Sequence, residues 1–535
     1  MNREENYIII DGKNLSLDDI VSVGMGKKKV EISKDCIEKC KKNREFLTKK
    51  VDEKNVIYGV NTSFGSMCNK IINKDSIEIL QENLIKSHAA GLGEPIHHTI
   101  ALASLLVRLN SLVRGNSGVR VELLEFIKDL INNQIAPYIP TRGSVGASGD
   151  LIHLSHLALL IIGKGKAYYK GSLMEVEEIF KQLNIKPFKL SYKEGLALIN
   201  GTSVMTAIAA FAVNISKKAL AIECIAAAFT IEIFNSITDF LSEALHKVKP
   251  HEGQFKIAKI LRELVNGSKN TIDRDSLHEV IWENANGKTE DKVFESSIFI
   301  QNVYSIRCTP QILSPVYEAI KTVEKIVTIE ANSTNDNPIV IHEENHILHG
   351  GNFHGQSIGF YMDVLSIALS TLSNLAERRL NTLLDGKLNG ELPEYLITGI
   401  KGLDLGFMGS QYLATSTTAE NRQLANPVST NTISCNSSNQ DVVSMGTIAA
   451  RKAYTSATNT KYILTLEILA TLQAINIKGS DNLAPKTSYY YNILSNYYTN
   501  YESKTIFHEM LTNFLELIFE KDIINSEEIL KLGEN

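Results

Sequence analysis

The stretch "TAIAAFAVNISKKALAIECIAAAFTIEIF", residues 206–234, repeats apolar residues at spacings of three and four, with no proline or glycine to interrupt it. That period belongs to an α-helix, and a run this long predicts part of a long-helix core. "SIEILQENLIKSHAAGLG" (76–93), "VELLEFIKDLINNQIAPYIP" (121–140) and "MDVLSIALSTLSNLAERRLNTLL" (362–384) carry the same spacing. The 535 residues include only 11 prolines, and Pro137, Pro140 and Pro427 stand just past apparent helix ends. Long helices with short connections follow. The expected fold class is mainly α, with a long up-down helical bundle core from residue 200 to 475.

Short strands are expected beside that core: "YIIIDG" (7–12), "KAYYKGSL" (166–173) and "NPIVIHEENHILHGG" (337–351), the last a hairpin turning at Glu343 to Asn345. The charged stretch 283–297 is the best candidate for a mobile insertion, and "APKTSYYY" (484–491) for the start of a C-terminal helical cap. The expected domains are 1–200, 201–480 and 481–535.

A net charge of −5 without a dense Lys/Arg block excludes the electrostatic footprint of a nucleic-acid or anionic-membrane binder. A small-molecule partner is the expectation. The six cysteines are scattered and read as reduced thiols. No secretory pattern opens the chain, and no run of ~18 apolar residues stands out, so a cytoplasmic protein is expected.

"GSVGASGDLIHLSHLALLIIG" (143–163) crowds three glycines around Ala147 and Ser148. It is no nucleophile elbow, because Asp150 stands where the second glycine belongs, and it lacks the Gly-Lys-Ser/Thr of a phosphate loop. One reading is a glycine-rich loop capped by Asp150 that enters a helix with Leu151, Leu154, Ala158 and Ile161 on its apolar positions. For the triplet alone this reading is the stronger. The other is backbone cyclisation, in which the amide of Gly149, lacking a Cβ, closes on the carbonyl two residues earlier. Loss of water would then leave an electrophilic ring at the positive end of a helix.

"GSVGASGDL" resembles the signature of the aromatic amino acid ammonia-lyases and aminomutases, which build 4-methylideneimidazol-5-one (MIO) from such a tripeptide. Further segments match in the family's order: "YGVNTSFG" (58–65), "SHAAG" (87–91), "EGLALINGT" (194–202), "YSIRCTPQ" (304–311), "ANSTNDNP" (331–338), "HGGNFHG" (349–355), "AERR" (376–379), "AEN" (419–421) and "NQDVVSMG" (439–446). The resemblance implies an ammonia-lyase/fumarase-like fold, a smaller N-terminal MIO domain with a lid loop around Tyr58, and MIO formed from Ala147, Ser148 and Gly149 without any metal. It implies elimination of ammonia and a β-hydrogen from an aromatic L-amino acid, and a homotetramer with composite sites.

By that resemblance Tyr58, otherwise a turn aromatic, is the base. An ordinary tyrosine pKa of ~10 then predicts activity that rises on the alkaline side. Tyr304 and Arg307 are three apart and share a face of a helical turn. The resemblance makes Arg307 the bidentate anchor for the substrate carboxylate, a role lysine would fill poorly, and gives Tyr304 proton transfer or orientation. It places Asn200 and Gln301 as polar contacts, Phe353 beside the bound ring or cofactor, and Glu420 near the substrate. A helix cap for Asn200 and an exposed amide for Gln301 remain alternatives. His88 holds the ring-selectivity position, where a neutral imidazole can pair with a phenol or an imidazole and phenylalanine leaves it unpaired.

"NQDVVSMG" and "GNFHGQ" look like tyrosine-acting lyases and aminomutases, so tyrosine is the favoured substrate. Histidine ammonia-lyase, tyrosine 2,3-aminomutase and an inactive helical scaffold are the alternatives. "HEENH" (342–346) matches H-E-x-x-H only formally, since a hairpin cannot place both histidines on one helical face. His153 and His156 read as core or network histidines. Ser63, in place of the usual glycine, and Ile152-His153, in place of Ala-Pro, depart from the family pattern.

Overall fold

The alanine-rich run opened above forms the helix Ser203–Ile233, and comparable apolar periodicity builds Thr309–Ala331, Gln356–Leu384 and Gly446–Lys478. The structure, a computed structural model, describes residues 7–283, 292, 293, 296, 300–498 and 506–533. Most of stretch 283–297, the expected mobile insertion, lies outside the described residues. The fold is mainly α with little strand, as the helical periodicity predicts.

The chain forms two compact units, each discontinuous in sequence. The first comprises Met1–Asn214, Val323–Val364 and Pro427–Tyr454; the second comprises Ile215–Thr322, Leu365–Asn426 and Thr455–Asn535. These are not the three consecutive blocks expected at 200 and 480. Of the five junctions, those after 214, 322, 364 and 454 fall inside the four long helices, where no linker composition marks them, and the fifth falls between Asn426 and Pro427, just past helix Met408–Leu424.

The first unit holds the short strands. Tyr7–Ile10 pairs in parallel with Lys29–Ile32, and Lys166–Tyr169 pairs antiparallel with Ser172–Glu175 and with Ala136–Pro137. Ile339–Ile341 and His346–Leu348 form an antiparallel hairpin that turns through His342–Glu344, with Asn345 at φ +56°. "HEENH" is therefore a single 3-10 turn within a hairpin and not an α-helix, as its context predicts, and Ile341 is the ladder partner of His346.

In the second unit, the buried Arg379 guanidinium joins Glu467 at 2.6 Å and Glu223 at 2.5 Å. Burial, together with repulsion from Glu467, pushes the Glu223 carboxyl well above the usual carboxylate range, against the pull of Arg379. Helix Gln356–Leu384, which carries Arg379, is long and apolar enough to cross a membrane, contrary to the expectation from sequence. Of its most apolar stretch 67% is buried inside the protein, so core packing accounts for the apolarity. The "APKTSYYY" segment starts the helix Pro485–Ser495, with Pro485 in the first turn, where its missing N–H costs nothing.

Candidate active site

Gly149 has φ +66°, and a Cβ built on it would lie 1.9 Å from the Gly201 carbonyl oxygen. Only glycine fits there. The two glycines form a parallel bridge, with the Asp150 amide donating to Gly201 O at 2.6 Å and Gly201 N to Ser148 O at 3.4 Å. Around this bridge the tripeptide Ala147-Ser148-Gly149 is held on every side. Ala147 packs in an apolar cluster with Val443 and Met445, and Ser144 Oγ donates to Gly149 O at 3.2 Å. Asn200 Nδ2 donates to Ser148 O at 3.1 Å, and Gln440 Nε2 donates to Ser148 Oγ at 2.7 Å.

The bridge also corrects the expected cap. Asp150 precedes helix Leu151–Ile161, but its carboxylate makes no cap bond to that helix. Its Oδ2 accepts instead from the amides of Val204 and Met205, at 2.9 and 2.8 Å, and its Oδ1 from Thr447 Oγ1 at 2.5 Å. The Gly149–Gly201 pairing brings the start of Ser203–Ile233 beside Asp150, and those first-turn amides need acceptors. Burial pushes the Asp150 carboxyl up to about 6 against these three hydrogen bonds.

A cavity of about 710 Å³ in the first unit opens onto the tripeptide. Tyr58, His88, Ala147, Ser148, Asn200 and Phe353 all line it. Gly149 is not in the wall but supplies the bend. Tyr58 sits in a turn after Lys34–Asp52, its hydroxyl accepting from Gly65 N at 3.0 Å and its ring edge-on to Phe64 at 6.4 Å. Burial raises its pKa above the ordinary tyrosine value, opposed by that amide. His88 ends helix Ile77–His88, with Nδ1 2.9 Å from the Leu84 carbonyl. A carbonyl only accepts, so a neutral ring that bonds it carries its proton on Nδ1 and presents Nε2 as an acceptor.

Tyr304, Gln301, Arg307 and Glu420 do not line this cavity and belong to the second unit. There the Arg307 guanidinium lies 4.5 Å from the centre of the Tyr304 ring, so the two share a face as their spacing predicts. Arg307 Nε donates to Asn302 O at 2.9 Å. Gln301, Tyr304 and Glu420 are exposed, Glu420 on helix Met408–Leu424.

Gln440 is the contact that sequence reasoning missed; its signal lay in "NQDVVSMG", read there as a matching segment without a role for each residue. Asn436 escaped for lack of local pattern: a Cβ on Gly65 would lie 2.5 Å from Asn436 Nδ2, which sets the Tyr58 loop against residues 436–442. His153 is buried in the core, and His156 Nε2 accepts from Gly91 N at 3.0 Å; the first is a core and the second a network histidine, as expected. Among the described residues no group of three or more His, Cys, Asp or Glu is placed to hold a metal.

A glycine-built bend, a tyrosine, a histidine and an asparagine thus meet at one cavity. Residues 15–496 match the aromatic amino acid lyase family, and the chain belongs to it; it is a carbon–nitrogen lyase. The chain is 38% identical over 525 residues to a histidine ammonia-lyase of Alkaliphilus oremlandii, covering 97% of this chain and 98% of that one. Among solved structures it resembles a tyrosine aminomutase from Streptomyces globisporus, with TM-score 0.92, 35% identity, and 97% and 98% of the two chains covered. A histidine ammonia-lyase from Trypanosoma cruzi matches with TM-score 0.87, 30% identity, and 98% and 97% covered.

Proposed function

We propose that this chain is an MIO-dependent ammonia-lyase acting on an aromatic L-amino acid with a polar ring, tyrosine giving p-coumarate. The observation that carries the reading is the shared cavity of Tyr58, His88 and the Ala147-Ser148-Gly149 bend. The bend fits the group: the Gly149 cradle leaves no room for a Cβ, and Ser148 Oγ is already held by Gln440. Ring closure joins the Gly149 nitrogen to the Ala147 carbonyl carbon and releases that oxygen as water. A second water takes the Ser148 Oγ with its Cα hydrogen. Once formed, the group supplies the electrophile that makes the substrate amine a leaving group.

The remaining work falls to side chains. Tyr58 takes the β-hydrogen as a phenolate. Asn200, bonded to Ser148 O, holds the cofactor segment and offers polar contact to substrate. His88 Nε2 accepts from the phenol of tyrosine; phenylalanine would leave it unpaired at a cost of ~1–3 kcal/mol. Leu80, Leu84, Leu196, Phe353 and Val442 line the same cavity and suit a benzene ring. Arg307 is proposed as the carboxylate anchor, with Tyr304, Gln301 and Glu420 beside it, supplied across subunits of a homotetramer. The exposure of Tyr304, 68%, supports this, since a large aromatic left in water gains by burial in an assembly. Cysteine usage supports a cytoplasmic setting.

Histidine is the second reading. It is supported by relatives named histidine ammonia-lyase and by the Asp441 carboxylate in the cavity wall, which could accept from an imidazole. The test is incubation with L-tyrosine, L-histidine and L-phenylalanine separately, following unsaturated acid, ammonia and β-amino acid. Release of ammonia from tyrosine supports the reading, a β-amino acid product replaces it with aminomutase activity, and no turnover of any substrate leaves the inactive scaffold.

A further inference from the structure

We infer that Gln81 is a positioning residue that ties the base loop, the ring-selecting helix and the segment carrying Asn200 to one another; the inference rests on the ammonia-lyase reading. Gln81 is fully buried on helix Ile77–His88 and lines no part of the cavity, whereas Leu80, Asn83, Leu84, Ser87 and His88 of that helix do. It acts only through others.

Its two amide ends meet two different segments. Nε2 donates to the carbonyl of Gly59, the residue after Tyr58, at 3.3 Å, and Oε1 accepts from Leu196 N at 3.1 Å. The Leu196 carbonyl in turn accepts from Asn200 N at 2.9 Å, and Asn200 Nδ2 reaches Ser148 O at 3.1 Å. A continuous line of hydrogen bonds therefore runs from the peptide beside the base to the residue that becomes the electrophile. Two glycines make the approach possible. A Cβ on Gly59 (φ +65°) would lie 2.2 Å from Leu196 Cδ2, and one on Gly195 would lie 2.9 Å from both Gln81 O and Gln81 Oε1.

The chemistry selects glutamine. A buried carbonyl and a buried amide on opposite sides need one donor and one acceptor from the same side chain. Leucine supplies neither. A carboxylate supplies the acceptor but sets negative charge against Gly59 O, whereas a protonated carboxyl restores the donor.

The test compares wild type, Gln81→Leu and Gln81→Glu by intact mass, steady-state kinetics and trypsin cleavage at Lys54 and Lys70, exposed residues that flank the Tyr58 loop. Both variants are expected to lose the mass of two waters and keep KM, while kcat falls by about tenfold or more and cleavage quickens. The Gln81→Glu deficit relative to wild type should shrink as pH falls, and the Gln81→Leu deficit should not. Wild-type kcat and cleavage rates in both variants overturn the inference, as does a Gln81→Glu deficit that ignores pH. Should Gln81→Leu fail to fold, the pH response of Gln81→Glu decides. If the wild type turns over none of the three amino acids, the ammonia-lyase reading falls, and the cleavage rates still decide whether Gln81 holds the loop.

Discussion

A side-chain carbon on Gly149 would overlap the carbonyl oxygen of Gly201, 1.9 Å away. Gly149→Ala must therefore both hold an alanine at φ +66° and part the bridge that seats the tripeptide. The positive φ alone costs ~1–3 kcal/mol. The variant should melt below the parent and keep its full genetic mass. An alanine variant that sheds two waters and melts with the parent contradicts the proposed bend.

Tyr58 must be deprotonated to act as base, and burial raises its pKa above the ordinary value. The ionised fraction grows with pH, so kcat/KM should climb through the alkaline range. Tyr58→Phe should lose ~10²–10⁴-fold in kcat and with it the alkaline limb, while the mass loss of two waters persists. A pH–rate profile that peaks in the acid range would count against the role.

His88→Leu should lower kcat/KM for tyrosine and raise it for phenylalanine, because the lone pair that phenylalanine leaves unpaired is gone. A change in relative preference of about tenfold or more is expected. Competition between the two amino acids measures it directly, and an unchanged ratio removes His88 from the ring end of the cavity.

His153 carries an acid-sensitive part of the stability. Burial pushes its imidazole down to about 4, opposed by the Thr141 and Pro140 backbone, with the nearby Arg451 and His156 charges adding to the drop. In the unfolded chain the value is near 6.5. The unfolded state therefore binds the proton first, so the contribution is complete above pH ~6.5 and drains away as pH falls toward ~4. The amount at stake is on the order of 3 kcal/mol. Denaturant midpoints taken between those pH values should fall steeply in the parent and less steeply in His153→Leu; equal slopes dismiss the assignment.

Local order along the chain was enough to reveal helices, hairpin and the tight Ala147-Ser148-Gly149 bend. The spacing of Ile208, Phe211, Ile215 and Ile222 states a helix wherever it occurs, and Asn345 in "HEENH" marks a turn because its short side chain tolerates positive φ. Tyr58, His88, Ser148, Asn200 and Phe353 were found because each stands in a short ordered segment. Gln440 stands in such a segment too and Gln81 in the helical run 76–93, but a glutamine's partner is set by what folds against it.

Asp150 shows where local reading stops. Next to Leu151 it looks like the cap of its own helix, and nothing within ten residues says otherwise. Its actual partners, Val204, Met205 and Thr447, are about fifty and three hundred residues away along the chain. Periodicity and turn chemistry are short-range properties that each segment carries with it. Which buried donor meets which acceptor, and where a compact unit begins within an unbroken helix, depend on three-dimensional packing. Such pairs are chosen by the free energy of leaving a polar group unsatisfied away from water.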